Sequence, residues 1–192
     1  MTQPTLHIQD AVDVLRAEAD EAIAVITMSA IAYWGEPRPH DFRLMGTMGA
    51  AASIGLGVAL GVPDRPVWVV DGDGSLLMQL GVVAAVTDSA PANLVHIVID
   101  NGIYAISGAQ PTPAPADWAA LLTAAGYADA VTCSSTTEVR AALRRDVPGP
   151  RAIVVRCLRE RPAYPKGVFA LTPSQEAARI RATLTGERNE VM

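Results

Sequence analysis

The chain has 192 residues, with 15 Lys and Arg against 20 Asp and Glu; half its residues are hydrophobic and 5% are aromatic. That length suffices for one domain with a sizeable core, and so hydrophobic a chain with 18% charged residues cannot be disordered. A net charge of −5 argues against a nucleic-acid binder, and two cysteines, Cys133 and Cys157, exclude a disulfide framework, a Cys-rich zinc site and an iron–sulfur cluster.

In chain order, residues 7–19 read as an opening helix, with Ile8, Ala11, Val12 and Leu15 on one face. The first twenty residues are acidic and mixed, unlike a signal peptide. Residues 22–27 suit a buried strand. The segment 28–42 reads as a loop in which Tyr33, Trp34, Arg38 and His40 suggest a substrate mouth. The low-charge stretch 44–62 carries Gly46, Gly49, Gly55, Gly57 and Gly61, which suits a tightly packed core helix over 48–60 better than a lipid-facing one. No membrane partner is expected, and the two cysteines fit small buried side chains in a reducing, cytoplasmic compartment.

Residues 67–71 form a second strand, 76–88 a helix, and 94–100 a third strand that is apolar almost throughout, as a strand buried on both faces should be. A Gly- and Pro-rich loop follows, then a helix over 116–125, a weak strand over 128–132 and a helix over 136–145 capped by Ser134 and Ser135. Residues 152–158 are a strong last strand, 162–173 a loop, and 174–184 a polar tail helix. This alternation predicts an α/β fold: a single doubly wound parallel sheet with helices on both faces, one domain over 1–192. Its sites should lie at the carboxyl ends of the strands.

The strand at 67–71 runs into Gly72-Asp73-Gly74-Ser75, and a helix follows at once. Glycines let the backbone approach a bound anion, and the amides of Gly74 and Ser75 at a helix start suit a diphosphate. Asp73 adds a hard oxygen beside those phosphates, the usual way magnesium is held. Taken alone, the tetrapeptide is equally an Asp-Gly turn that caps a helix. The next strand ends just before Asn101, 28 positions on, one helix and one neighbouring strand later. Parallel neighbours put both strand ends at one sheet edge, so Asp73 and Asn101 can reach a single cation, both exposed there at little structural cost. A carbonyl of Gly102-Ile103-Tyr104 could supply a third oxygen.

GDG followed by Asn at this spacing resembles the magnesium and diphosphate motif of thiamine diphosphate-dependent enzymes. The resemblance assigns the metal to Asp73, Asn101 and the Ile103 carbonyl; Asp100 stands where the family usually has a first Asn. Gly46-Thr47-Met48-Gly49 resembles the segment that holds the aminopyrimidine ring. There Met48 would wedge between the cofactor's two rings and force a bent shape, and the Gly46 carbonyl would accept from the ring amino group. An isolated Met is otherwise an ordinary core residue. The cofactor-binding set implied is Gly46, Thr47, Met48, Gly72, Asp73, Gly74, Ser75, Asn101, Ile103 and Tyr104, with thiamine diphosphate and Mg2+ as cofactors.

The wording of GTMGAAASIGLGVALG, GDGSLLMQLG and DNGIYAISGAQPTP is similar to the sulfopyruvate and phosphonopyruvate decarboxylases, over roughly residues 44–127. Ala50 stands where some phosphonopyruvate enzymes place His. The resemblance implies the beta subunit of a two-chain decarboxylase, converting an anionic 2-oxo acid to an aldehyde and carbon dioxide. The family's activating Glu lies on a pyrimidine-binding domain, so no catalytic residue is expected in this chain and a hetero-oligomer with an alpha subunit is implied. Alternatives are a carboligase subunit or a non-catalytic cofactor-binding module. A dinucleotide binder is disfavoured, since Gly-x-Gly-x-x-Gly is absent at the first strand turns. His96 reads as a satisfied core histidine, His7 and Arg144-Arg145 as solvated, and Arg161 and Lys166 as cations near a Pro-rich loop.

Overall fold

The computed structural model describes residues 4–113, 115, 117–163 and 171–186. Apolar, β-branched runs form β1 (Ile23–Thr27), β3 (Val67–Gly72), β4 (Leu94–Asp100) and β6 (Arg151–Arg156), with β2 (Asp41–Leu44) and β5 (Asp129–Cys133) at the edges. The order is β2-β1-β3-β4-β6-β5 and every pairing is parallel. Such strands are buried on both faces, and their hydrophobic runs follow from that.

Helices α1 (Ile8–Glu18), α2 (Met28–Trp34) and α7 (Thr136–Leu143) cover one face, through Leu15, Ile31, Trp34 and Val139. On the other lie α3 (Ala51–Gly61), α5 (Val82–Ser89), α6 (Trp118–Ala125) and α8 (Pro173–Thr185), through Leu56, Val86, Leu122 and Ile180. The sheet is therefore doubly wound. Both cysteines are free and buried, and burial pushes both thiols up, Cys133 to about 11 and Cys157 to about 12. Among the described residues no helix is long and apolar enough to cross a membrane.

The chain steps from β1 outward to β2, then crosses back to β3 on the other side of β1. A crevice opens at such a switch point, outside the carboxyl ends of the strands. Close packing beneath it depends on Gly55: a Cβ there would stand 2.2 Å from Val69 Cγ2, so only glycine lets α3 lie this near β3.

Several elements differ from the sequence expectation. Residues 28–42 are not one loop: Ala30, Ile31 and Trp34 recur at helical spacing and bury against the sheet, making α2, and β2 follows. The helix expected from residue 48 starts at Ala51, because Gly46 and Gly49 take φ of +71° and +83°, outside helical backbone. The helix expected over 76–88 is split into α4 (Asp73–Met78) and α5, with Gln79-Leu80-Gly81 between them. The helix expected from 116 begins at Trp118; residue 116, like Lys166 and 164–170 of the expected loop, lies outside the described residues.

The tail helix is more than a polar surface. A capping box of Thr172 and Gln175 starts α8, and Glu176, 0% exposed, pairs with Arg43 of β2 at 2.7 Å and with Arg179 at 2.7 Å. The residues expected to be solvated are also paired. His7 bonds Glu160, Arg144 and Arg140 converge on Glu18, and Arg145 meets Asp129.

Candidate functional site

Three strand ends meet at the switch point. Each hands the chain to a turn whose residues line one cavity of about 130 Å3: Thr27, Met28 and Ser29 after β1, Gly72 to Ser75 after β3, and Asn101 and Ile103 to Ser107 after β4. Thr47 and Met48, from the turn before α3, close a fourth side. Every candidate binding residue from the sequence lines this cavity except Gly46, which lies two residues from Met48 at its rim.

The two motif blocks are joined directly. The Gly49 amide donates to Ser75 Oγ at 3.0 Å, so the turn before α3 and the start of α4 hold one another. Gly74 has a steric requirement: a Cβ there would stand 2.6 Å from Cε1 of Tyr104 and 3.2 Å from Cγ2 of Thr112. The tyrosine ring lies against the glycine Cα, and the backbone of the turn is left open on its cavity side.

Asp73 and Asn101 do share this edge, but they are buried, at 2% and 6% exposure, where exposure was expected. The reason is the segment after Asn101, which folds back on itself. Tyr104 N donates to Gln110 O, Thr112 N donates to Gly102 O, and Ile103 bridges Pro111. That fold-back lays Thr112 over the carboxylate, so Asp73 Oδ2 accepts from Thr112 Oγ1 at 2.7 Å and from Gly102 N at 3.1 Å. Asn101 Oδ1 accepts from Ile103 N at 3.1 Å, and the Ile103 carbonyl accepts from Ala105 N at 3.0 Å.

Burial pushes the Asp73 carboxyl up to about 6, and the Asp100 charge adds to the effect. Asp100 is itself raised by burial, opposed by Arg156 beside it on β6. Asp73 takes part in no ion pair among the described residues. A desolvated carboxylate with no cation against it is a place where a bound metal gains most. The set of one carboxylate, one amide oxygen and one backbone carbonyl suits a hard cation that keeps phosphate oxygens as its remaining ligands. Among the described residues no group of three His, Cys, Asp or Glu could hold a metal without such help.

Met48 is 40% exposed and stands on the cavity wall, away from both core clusters. Met78 and Ile106 are further exposed apolar residues, Ile106 on the same wall. A cavity of this size is below the roughly 300–1,000 Å3 that engulfs a ligand. Among the described residues no glutamate lines the cavity.

The expected substrate mouth is not at this edge. Trp34 is buried and its Nε1 donates to Asp41 Oδ2 at 2.8 Å, while Arg38 forks onto Asp41 Oδ1 at 3.0 and 2.8 Å. His40 lies between Glu21 and Arg65, at 3.2 and 3.1 Å, where β1, β2 and β3 begin. Gln9 Nε2 donates to the Tyr33 carbonyl at 3.1 Å, on the α1 side. These residues hold the amino edge of the sheet together, opposite the cavity.

Two residues of the cavity region were not legible in the sequence. Thr112 sits in PTPAP with no spacing that ties it to Asp73; only the fold-back does. Arg161 donates from Nε to Ala105 O at 3.3 Å and from Nη2 to Ser107 O at 3.2 Å, bracing the cavity wall. Its place in sequence, 54 residues or more from its acceptors, carries no signal.

The fold is a doubly wound α/β domain with a cleft at its switch point, where such sheets take their ligands. It superposes on a benzoylformate decarboxylase from Polynucleobacter necessarius with a TM-score of 0.64 at 20% identity, over 80% of this chain and 33% of that one. It also superposes on a thiamine diphosphate-dependent 4-hydroxybenzoylformate decarboxylase from Rhodococcus jostii with a TM-score of 0.65 at 24% identity, over 82% and 34%. At such identities the likeness is one of fold. Residues 23–157 match the family of thiamine pyrophosphate enzymes, C-terminal TPP binding domain, and the chain belongs to it. It is 40% identical over 182 residues to a phosphonopyruvate decarboxylase of Streptomyces viridochromogenes, over 91% of this chain and 45% of that protein. It is 42% identical over 80 residues to a sulfopyruvate decarboxylase subunit beta of Methanocaldococcus jannaschii, over 42% of each. The chain thus spans less than half the length of these curated relatives.

Proposed function

We propose that this chain is the diphosphate-binding domain, over its whole length, of a thiamine diphosphate- and Mg2+-dependent 2-oxo acid decarboxylase. Its substrate would be a pyruvate that carries a second anionic group, a phosphonate or a sulfonate, and its product an aldehyde. Support comes from relatives of both substrate types, at 40% and 42% identity. The observation that carries the reading is the buried, unpaired Asp73 beside the Asn101 oxygen in a glycine-lined cavity.

In this reading Asp73 Oδ1, Asn101 Oδ1 and the Ile103 carbonyl hold the cation, and Thr112 and the Gly102 amide fix the Asp73 carboxylate from its other oxygen. The amides of Gly74 and Ser75, at the first turn of α4, receive the diphosphate. Gly72 and Gly74 keep the backbone free of Cβ atoms there, and Tyr104 packs beneath. Met48, exposed on the wall, supports the bend of the cofactor, and the Gly46 carbonyl with Thr47 lies where the pyrimidine would be received. When bound, thiamine diphosphate supplies the carbanion that adds to the oxo carbon and takes up the electron pair left by carbon dioxide.

Among the described residues no glutamate lines the cavity, and in this reading the chain itself does not supply the group that exchanges protons with the cofactor's far ring. That group would come from a pyrimidine-binding alpha subunit docking over the exposed Met48 and Ile106, in a hetero-oligomer of the cytoplasm. Placement of ring, metal and substrate together supplies much of the rate, so the chain alone should be nearly inert. The test is co-purification from the native source, followed by an aldehyde assay with phosphonopyruvate, sulfopyruvate and pyruvate, each with and without Mg2+. Aldehyde from an anionic pyruvate only when the second subunit is present is expected. Full activity of this chain by itself, or equal rates on all three acids, would overturn the split site or the substrate class respectively.

A further inference from the structure

A buried polar chain lies directly behind the Gly72-Asp73 turn, and nothing in the proposed chemistry uses it. Asp71, His96 and Tyr127 are all buried on the sheet face that carries α3, α5 and α6. Their neighbours on that face of β3 and β4 are Val67, Val69, Leu94 and Val98. Polar groups among them cost free energy that another Val or Ile would not.

The contacts run in one direction. Tyr127 is fixed to the scaffold, because it follows Gly126, which ends α6 at a φ of +107°, and its amide donates to Leu122 O at 3.1 Å. Burial and the Asp71 charge push its hydroxyl up, and that hydroxyl is hydrogen-bonded to His96 Nδ1 at 2.9 Å. On the other side of the ring, His96 Nε2 is buried without a hydrogen-bond partner, and Asp71 Oδ2 lies 3.7 Å from it. Asp71 Oδ1 in turn accepts from the Gly72 amide at 2.9 Å. The last link is the peptide that enters the turn bearing Asp73.

We propose that Asp71, His96 and Tyr127 are positioning residues, a relay that fixes the Gly72-Asp73 turn in the geometry a phosphate-bound divalent cation needs. The relay rests on the cation site proposed above, and it places no group in contact with the cofactor. Its anchor is the end of α6, on a different element from every residue that lines the cavity. Metal sites commonly depend on such outer partners: removing one typically costs on the order of 10–100-fold in metal affinity.

Tyr127→Phe removes the hydroxyl and leaves the ring, so it tests the relay with the least repacking. The full chain in its native assembly is titrated with MgCl2 in the presence of thiamine diphosphate, and exchange of the Gly72 amide proton is followed by NMR in the same protein. Val139→Ala, on the opposite sheet face, controls for destabilisation alone. The expected result is roughly tenfold weaker Mg2+ affinity and faster Gly72 exchange in Tyr127→Phe, with both unchanged in Val139→Ala. Asp71→Asn, which keeps the acceptor for Gly72 but loses the charge facing His96, should weaken Mg2+ in the same direction. Equal Mg2+ affinity and Gly72 exchange in wild type and Tyr127→Phe would overturn the relay. Absence of Mg2+-dependent cofactor binding in the wild type would instead overturn the cation site, and Gly72 exchange would then decide by itself whether the relay holds the turn.

Discussion

The two edges of one sheet treat buried charge in opposite ways. At the amino edge and along β2, every buried charge is met by another: Asp41 by Arg38 and the Trp34 indole, Glu176 by Arg43 and Arg179. At the carboxyl edge, Asp73 is as deeply buried but meets neutral donors, Thr112 and the amides of Gly74 and Gly102. The first arrangement serves the fold and the second is costly to it. A carboxyl raised by burial inside a cleft makes a candidate functional group.

The largest effect expected is at the paired edge. Glu176→Ala removes the buried carboxylate that Arg43 and Arg179 share, and breaking such a pair costs about 3–5 kcal/mol. Thermal or urea unfolding should show that loss with cofactor affinity intact in whatever fraction remains folded. A variant as stable as wild type would mean that α8 is not held to β2 by charge.

Next comes the unpaired edge, where the sign reverses. The Asp73 carboxyl, at about 6 in the folded chain against 3.8 otherwise, binds its proton more tightly when folded. The contribution of this one group to stability is therefore greatest below about pH 4, falls as pH rises toward 6, and stays lowered above it. Asp73→Asn keeps an acceptor for Gly102 and Thr112 without the charge. At pH 7 it should be more stable than wild type, by about 1–3 kcal/mol, while Mg2+-dependent cofactor binding weakens on the order of 100-fold. Unfolding at pH 4 and pH 7 beside one calorimetric titration checks both; a destabilised Asp73→Asn at pH 7 would remove the contrast between the edges.

Gly74→Ala places a Cβ 2.6 Å from the Tyr104 ring. Overpacking of this kind costs about 1–3 kcal/mol, and the shifted ring should loosen the Asn101 to Ser107 wall. Gly74→Ala with Tyr104→Ala added should recover stability in the double variant. The smallest effect on the fold is at Met48, which is too exposed to carry core packing. Met48→Ala should change stability by less than about 0.5 kcal/mol yet lower turnover of the assembled enzyme more than cofactor affinity. A large melting shift would return it to the core.

The short apolar runs over 22–27, 67–71, 94–100 and 152–158 were legible as strands because buried parallel strands have no polar face to disguise them. GDG and Asn101 were legible as partners because one helix and one strand have a nearly fixed length. The segment over 28–42 was misread because Gly35, Pro37 and Pro39 dominate its local signal. The periodicity of Ala30, Ile31 and Trp34 is only one turn longer than chance. His40 and Arg38 looked like a mouth because polar residues beside proline are common to binding loops and to braced turns.

The sequence by itself determined five of the six strands, helices on both faces and the oxygen pair at adjacent strand ends, because period, run length and spacing are local quantities. Only the tertiary structure decided which charges are satisfied. Thr112 reaches Asp73 from 39 residues away, Glu176 reaches Arg43 from 133, and Tyr127 stands behind the turn through His96. A carboxylate is written the same way in the chain whether it will be paired, solvated or left desolvated. Burial and partner are set by how the fold closes, and those two quantities separate a strut from a site.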